Sequence, residues 1–180
     1  MAKNETSTAT PAAPFSVNAI HLVRTATQAN LALSQMADQK ASILMGATFV
    51  VFTITVGQAG RGQFSAALLV LALFAFISAM FAVAAVVPSV GGKTPGPDNP
   101  NLLFFGVFST LSETEFTDKV LAELRGDEQV FRTMLRDVYQ NGQVLQRKKY
   151  RFLGLAYRSF QIGLILTFTV FLFESWGRIF

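Results

Sequence analysis

The 180-residue chain has no cysteine, a single histidine and few charged residues. The absence of cysteine excludes disulfides, thiolate metal sites and a cysteine nucleophile. His21 alone is too few for a histidine metal cluster within one chain, and no catalytic triad can be assembled around it. No glycine-rich loop with Walker spacing precedes a predicted helix, and no paired carboxylates stand out. We therefore predict that the protein is not an enzyme and holds no metal or cofactor.

Charged residues make up 14% of the chain, well under the roughly 25% of an ordinary soluble domain. They are absent altogether between Gly62 and Gly92. A helix that is apolar on every side needs burial on every side, and about 20 such residues cross the hydrocarbon core of a bilayer. The scarcity of charge therefore predicts an integral membrane protein.

Three apolar blocks define the predicted fold class, an all-α integral membrane protein with three transmembrane helices and a helical cytoplasmic region between the second and third. In chain order the predicted segments are a disordered tail (1–15), a cytoplasmic helix (16–40), transmembrane helix 1 (41–57), transmembrane helix 2 (64–87), a cytoplasmic helical region (88–151), transmembrane helix 3 (152–173) and a short external tail (174–180). A loop rich in Pro and Gly, residues 91–100, lies near the start of the cytoplasmic region.

Local patterns place helices within these segments. Apolar residues recur at three- and four-residue spacing between Leu22 and Met36, which is typical of a helix. No Pro or Gly interrupts this pattern before the first span, so the helix is predicted to continue into the membrane. Ser112 and Glu115 have the spacing of a capping box, and the helix that they open is predicted to end at Gly126.

Lys and Arg residues are distributed unequally between the two sides of the spans. Thirteen of the fifteen lie in the N-terminal arm or between the second and third spans, whereas Arg61 and Arg178 lie on the other side. By the positive-inside rule, the N-terminus and the 90–158 region face the cytoplasm. Topology thereby accounts for the net charge of +4, and no nucleic-acid partner is predicted.

A basic stripe lies at the foot of the third span. On a regular helix its members fall within about 60° of one another; they are Arg147, Arg151, Gly154 and Arg158. Lys148, Tyr150 and Tyr157 flank it. The residues alone favour contact with anionic lipid headgroups, and the alternative is a phosphate site, since arginine forks match phosphate oxygens.

Asp38 and Lys40 lie at the mouth of the first span. A lysine is expected there, but an acidic residue at a membrane edge usually has a partner or a function. The simplest role for Asp38 is helix capping or an ion pair with the basic stripe, and that role is favoured over a specific task.

Six short blocks, in this order, resemble the transmembrane effectors of Pycsar anti-phage defence, the PycTM family. The blocks are Ala37–Leu44 (ADQKASIL), Asn101–Gly106 (NLLFFG), Leu111–Ser112, Asp137–Gln140 (DVYQ), Lys148–Arg151 (KKYR) and Leu155–Arg158 (LAYR). The likeness extends over about residues 29–173. It is moderately specific for the first two blocks together.

The resemblance implies a function. A partner cyclase makes cyclic UMP or cyclic CMP during infection, and the effector responds by impairing the bacterial inner membrane, which causes abortive infection. The expected partners are the lipid bilayer, this cyclic pyrimidine nucleotide and further copies of the chain, because three spans are too few for a self-contained pore.

The resemblance also directs attention to particular residues. The candidates for ligand binding are Arg147, Lys148, Arg151 and Arg158 for the phosphate, and Tyr150 and Tyr157 for stacking on the base. The candidates for a pocket or gate are Asp38, Lys40, Asn101, Phe104 and Phe105. Two other functions stay open, a membrane scaffold or accessory subunit for a soluble partner and an unregulated holin-like toxin.

A single cysteine introduced at Ser112 is expected to remain unlabelled when a membrane-impermeant thiol reagent is added to intact cells, because residues 90–158 face the cytoplasm. The chain has no native cysteine, so the reaction reports on this position alone. Labelling after permeabilisation is the control. Modification in intact cells would contradict the predicted topology.

Overall fold

The structure, a computed structural model, describes residues 14–63, 65–87 and 101–176. Most of the predicted tail at residues 1–15, the loop rich in Pro and Gly, and residues 177–180 lie outside these ranges. Within the described residues every regular element is a helix and no strand occurs, which confirms the all-α fold class.

Six α-helices and one π-helical turn make up the regular structure of the described residues. In chain order they are α1 (Ala19–Gly60), α2 (Ala66–Val86), α3 (Phe105–Phe108), α4 (Glu113–Glu123), α5 (Asp127–Val144), the π-turn (Leu145–Tyr150) and α6 (Arg151–Trp176). The last three follow one another without a break, and we call residues 127–176 the α5–α6 rod. Three helices are long and apolar enough to cross a membrane, namely α1, α2 and this rod.

The lengths of these helices show how far they extend beyond a bilayer. α1 has 42 residues and is therefore about 63 Å long at 1.5 Å per residue. The hydrocarbon core measures about 30 Å, so roughly half of α1 projects out of it. The 50-residue rod also projects, whereas the 21 residues of α2 are just enough to cross. The projecting halves of α1 and the rod pack side by side.

α2 and α6 run antiparallel and pack along most of their length. At one end, Glu174 Oε1 accepts a hydrogen bond of 2.7 Å from the backbone N–H of Ala66 in the first turn of α2. Nearer the other end, the buried Ser78 Oγ donates to the carbonyl oxygen of Ala156 at 2.8 Å. A carboxylate at a helix N-terminus also interacts favourably with the helix dipole. These two contacts fix the register of α2 against α6.

Small side chains bring α1 close to the other two long helices. Two buried clusters join the three, one of Ala37, Ala41, Ala85 and Leu153 and the other of Leu44, Ala82 and Ala156. Alanine lets helix backbones approach closely, which favours association where lipid removes the hydrophobic driving force. The result is a three-helix bundle with α2 packed against both neighbours.

The predicted capping box is present at the start of α4. Ser112 Oγ accepts from the backbone N–H of Glu115, and the Glu115 carboxylate accepts from that of Ser112. The bond from the Ser112 backbone lowers the pKa of Glu115 below its ordinary value of 4.5.

The predicted end of α4 at Gly126 is wrong, because α4 ends at Glu123 and the extended Gly126 is the N-cap of α5. Since Ser112 is a cap, the exposed Thr114 is a less disruptive labelling site.

Gly163→Ala is expected to destabilise the protein, because the added Cβ would clash with Phe74 Cβ, which is too near its own backbone to rotate away. Overpacking costs about 1–3 kcal/mol, against a gain of about 1 kcal/mol from replacing a helical glycine by alanine. Gly154→Ala is the matched control in α6, since nothing lies within 4 Å of its added Cβ.

The thermal midpoint in detergent should fall for Gly163→Ala and stay constant or rise for Gly154→Ala. Equal midpoints for the two variants would show that α2 and α6 do not pack at Gly163.

Candidate functional site

A π-helical turn joins α5 to α6 at the foot of the third span, from Leu145 to Tyr150. In a π-helix each N–H bonds to the carbonyl five residues back, so the side chains that follow are rotated relative to a regular α-helix. The predicted basic stripe assumed a regular repeat from Arg147 to Arg158, and the π-turn interrupts that repeat. Such turns are rare in proteins and occur frequently at functional sites.

Two consecutive lysines of the π-turn contact two different helices. Lys148 Nζ donates to the carbonyl oxygen of Val87, just past α2, at 2.9 Å. Lys149 Nζ reaches α1, where it donates to Ser34 Oγ at 2.8 Å and to both carboxylate oxygens of Asp38 at 2.7 and 2.8 Å. Asp38 therefore has an ion-pair partner in the basic segment, and that partner is Lys149.

Tyr150 and Tyr157 extend this attachment along α1. The Tyr150 hydroxyl donates to the carbonyl oxygen of Leu33, and the Tyr157 hydroxyl donates to that of Lys40, each at 3.4 Å. Both bonds are long and exposed, so each is weak. Together with Lys149, the two tyrosines connect the rod to α1 over more than a helical turn.

A cleft of about 290 Å³ opens between α1 and α5, next to the ion pair. Its wall combines an ammonium group, a carboxylate, two amides and two hydroxyls with apolar side chains. The lining residues are Thr27, Asn30, Leu31, Ser34, Asp137, Val138, Asn141, Val144, Leu145 and Lys149. A few polar groups converging on an apolar wall are typical of a small-molecule site.

α1 contributes its polar residues to the cleft from one face. Thr27, Asn30 and Ser34 follow at three- and four-residue spacing, and Asp38 continues the row. Asn30 Nδ2 donates to the carbonyl oxygen of Val138 at 2.8 Å, which holds α5 against α1. Opposite this row lies Asn141, whose side-chain amide makes no hydrogen bond within the described residues and is free to bind a ligand.

Asp137 and Asn101 form a buried polar pair behind the cleft. Asn101 Nδ2 donates to Asp137 Oδ1 at 3.0 Å, and Asn101 Oδ1 accepts from the backbone N–H of Leu103 at 3.0 Å. Asn101 is 1% exposed and Asp137 9%. A buried carboxylate needs such a donor, and an ionised one keeps further acceptor positions. The pair therefore fixes segment 101–103 against α5 and leaves Asp137 able to accept from a ligand.

The cleft lining includes none of the predicted site residues. The exposed ones include Lys40, Arg147, Arg151 and Arg158, together with Phe105, which is 64% exposed. Phe104 is half-buried beside Gly106. Of the predicted residues, Asp38 and Asn101 contact cleft-lining side chains directly. The three arginines are exposed, Arg147 on the π-turn and the other two on the first turns of α6.

Sequence reasoning missed the residues that line the cleft. The polar row on α1 was visible as a signal, because Asn30 and Ser34 interrupt an apolar helix at four-residue spacing and lead to Asp38. The role of Lys149 was not visible, because the sequence does not show which helix lies on either side of the rod. Only the fold reveals the π-turn and the two bonding partners, the Val87 carbonyl for Lys148 and α1 for Lys149.

Three long apolar helices, two of which project and enclose a polar cleft, define a multi-pass helical membrane protein with a ligand-sized site outside the bundle. A family model described as the Pycsar effector protein domain, PycTM, matches residues 21–174. The chain belongs to this family, and it is a Pycsar effector of anti-phage defence. No curated protein and no solved structure matches the chain.

Family membership sets the context of the site. PycTM proteins are not a known enzyme family. A Pycsar effector acts at a membrane on a signal that a partner cyclase generates.

Asn101→Ala is expected to loosen the region outside the bundle, because the buried Asp137 carboxylate loses its donor, at a cost of about 1–3 kcal/mol. The amide hydrogen-exchange rate of residues 101–137 should be higher in Asn101→Ala than in Thr114→Ala, a control variant at an exposed position. The same exchange in both variants would mean that the Asn101–Asp137 pair does not stabilise this region.

Proposed function

We propose that the cleft between α1 and α5 binds cyclic UMP or cyclic CMP, and that binding rearranges the spans and impairs the integrity of the bacterial inner membrane. The outcome is abortive infection, in which the cell dies before the phage spreads. The observation that carries the proposal is Lys149, a cation at the edge of a ligand-sized cleft and bonded to the neighbouring helix. Membership of the Pycsar effector family supports it.

The groups around the cleft suit the parts of a cyclic pyrimidine mononucleotide. Lys149 supplies a positive charge for the single phosphodiester anion. The free amide of Asn141 both donates and accepts, so it can pair with the edge of either pyrimidine base. Asp137 can accept from the ribose hydroxyl. Since an amide can present either group, this arrangement does not discriminate between uracil and cytosine.

The size of the cleft favours one small nucleotide. Ligand pockets occupy about 300–1,000 Å³, and the cleft, at about 290 Å³, lies just below that range. A mononucleotide is compatible with such a volume. The volume thus agrees with the class of messenger that the sequence resemblance suggests.

The ion pair provides a route from the cleft to the membrane. The Lys149 and Asp38 side chains are 22% and 39% exposed, and a pair this exposed contributes about 0.2–1 kcal/mol. A phosphate that competes for Lys149 therefore removes this one contact with α1 at little cost. Lys149 belongs to the continuous rod, so its displacement changes how α6 stands against α1. The messenger activates only if it binds the rearranged state better than the resting one.

The proposal includes a topology and an assembly. The N-terminus and residues 90–158 face the cytoplasm, where a cyclase product is available, because thirteen of fifteen Lys and Arg residues lie on that side. The exposed Arg147, Arg151 and Arg158 then lie at the level of anionic headgroups. Three spans are too few for a self-contained pore, so the proposal includes several copies of the chain.

The test compares variants that shift messenger affinity in opposite directions. Lys149→Gln removes the phosphate partner and is expected to weaken binding about 10- to 100-fold, the equivalent of a hydrogen bond to a charged group. Asp38→Asn removes the carboxylate that competes with the phosphate for Lys149, so this variant is expected to bind the nucleotide more tightly. A purely structural ion pair would instead make both variants weaken binding together. Lys119→Gln, at an exposed lysine of α4, is the matched control.

Binding is measured by calorimetry with cyclic UMP and cyclic CMP, and membrane potential is followed in cells loaded with each nucleotide. Arg151→Glu is the second arm. If it abolishes binding while Lys149→Gln does not, the phosphate lies on the exposed arginines and the cleft assignment is wrong. Depolarisation without nucleotide would indicate a holin-like toxin. No depolarisation, together with co-purification of a soluble protein, would indicate a scaffold.

A further inference from the structure

The apolar side of α1 that the sequence pattern reveals is not the side that the fold buries. Leu22 is 74% exposed, Leu33 41% and Met36 46%, and Ala29 between them is also exposed. Packing against α5 uses the neighbouring face instead, where Asn30 and Ser34 point toward the rod. The projecting half of α1 therefore carries an uncovered apolar stripe, in contrast to an ordinary surface helix.

The bilayer cannot cover this part of the stripe. α1 is a single unbroken helix, so its projecting half cannot turn and lie on the membrane surface. The Asn30, Lys149 and Tyr150 bonds also hold that half upright against the rod. The stripe thus needs a partner outside the lipid.

The stripe continues into the membrane with the seven-residue period of a coiled coil. One set of positions holds Leu22, Ala29, Met36, Ile43 and Val50, and the second holds Ala26, Leu33, Lys40, Ala47 and Ile54. Alternating steps of three and four residues are the a and d spacing of a left-handed coiled coil. The first set occupies the d positions and the second set the a positions. Ile43, Val50 and Ile54 are 63%, 55% and 58% exposed, so the stripe is uncovered on both sides of the membrane boundary.

We propose that this stripe, which we call the α1 seam, binds the α1 seam of a second copy of the chain in a parallel, in-register pair. The partner must itself cross the membrane and continue for several turns into water at the same angle. A second copy meets these conditions, because every copy inserts in the same orientation and so presents a parallel α1. A two-fold axis along the seam then brings each position onto its own counterpart.

Lys40 supports the register of this pairing. It is the one charged residue among the ten seam positions and occupies an a position at the membrane edge. A single lysine at an a position selects register and oligomer state at some cost in stability. Paired at the boundary, two Lys40 side chains can extend to the headgroups, whereas a shifted register would place one of them deeper in lipid. This inference rests on the proposed function, because it names the surface through which the copies would assemble. Its test is independent, because it requires no cyclic nucleotide.

The test is disulfide cross-linking between copies, for which the absence of native cysteine is convenient. Ala29→Cys and Met36→Cys place thiols on the seam, and Gln28→Cys and Gln35→Cys place them on adjacent exposed positions about 100° around the helix. Disulfides form where Cβ atoms come within about 3.5–4.5 Å. After mild oxidation of native membranes, the covalent dimer should be several-fold more abundant for the two seam positions than for their controls.

Lys40→Leu in the Ala29→Cys background should raise the yield of dimer further, since it removes the charge from the seam. A yield that is equal on both faces, or absent from the seam at every expression level, would overturn the proposal. So would a seam thiol that cross-links only to a different protein. If the cleft did not bind a nucleotide, these cross-linking yields would be unchanged. The proposal for the α1 seam and the proposal for the cleft can therefore be refuted separately.

Discussion

A backbone inside lipid has to satisfy its own hydrogen bonds, and the organisation of this protein follows from that constraint. It requires helices without interruption through the bilayer, and two of them, α1 and the α5–α6 rod, continue as the same helices far outside it. An unbroken helix is stiff, so whatever moves the outer half also moves the span. The cleft and the membrane segments are therefore parts of the same two rods.

The contacts between those rods differ in strength along their length. Within the bundle, α2 is held against α6 by the buried Ser78 hydrogen bond and by close packing. Outside it, α1 and the rod are joined by Asn30, a partly exposed ion pair and two long tyrosine bonds. Exposed polar contacts are cheap to replace, whereas close-packed helices are not. A ligand that competes for Lys149 would therefore act on the weaker of the two sets of helix contacts.

Two different faces of α1 have two different proposed roles. The row from Thr27 to Asp38 serves the cleft, while the seam from Leu22 to Ile54 points away from the rod. A signal that shifts the rod against the first face would change the tilt of α1, and hence the angle at which a second copy meets the seam. On the proposed function, a nucleotide bound in the cleft of one chain would thus influence the contacts between chains without touching them.

The sequence by itself determined the class, the spans and the family resemblance, because hydrophobic length, charge asymmetry and capping are local properties. It also contained the apolar period of α1, and it identified Asp38 and Asn101 as candidates. Which face of α1 would be buried, and which lysine would reach it, only the tertiary structure decided. A π-turn rotates every side chain beyond it, and a polar row becomes a cleft only when α5 stands opposite. Both depend on contacts between residues more than a hundred positions apart, such as Asn30 with Val138, which no local pattern encodes.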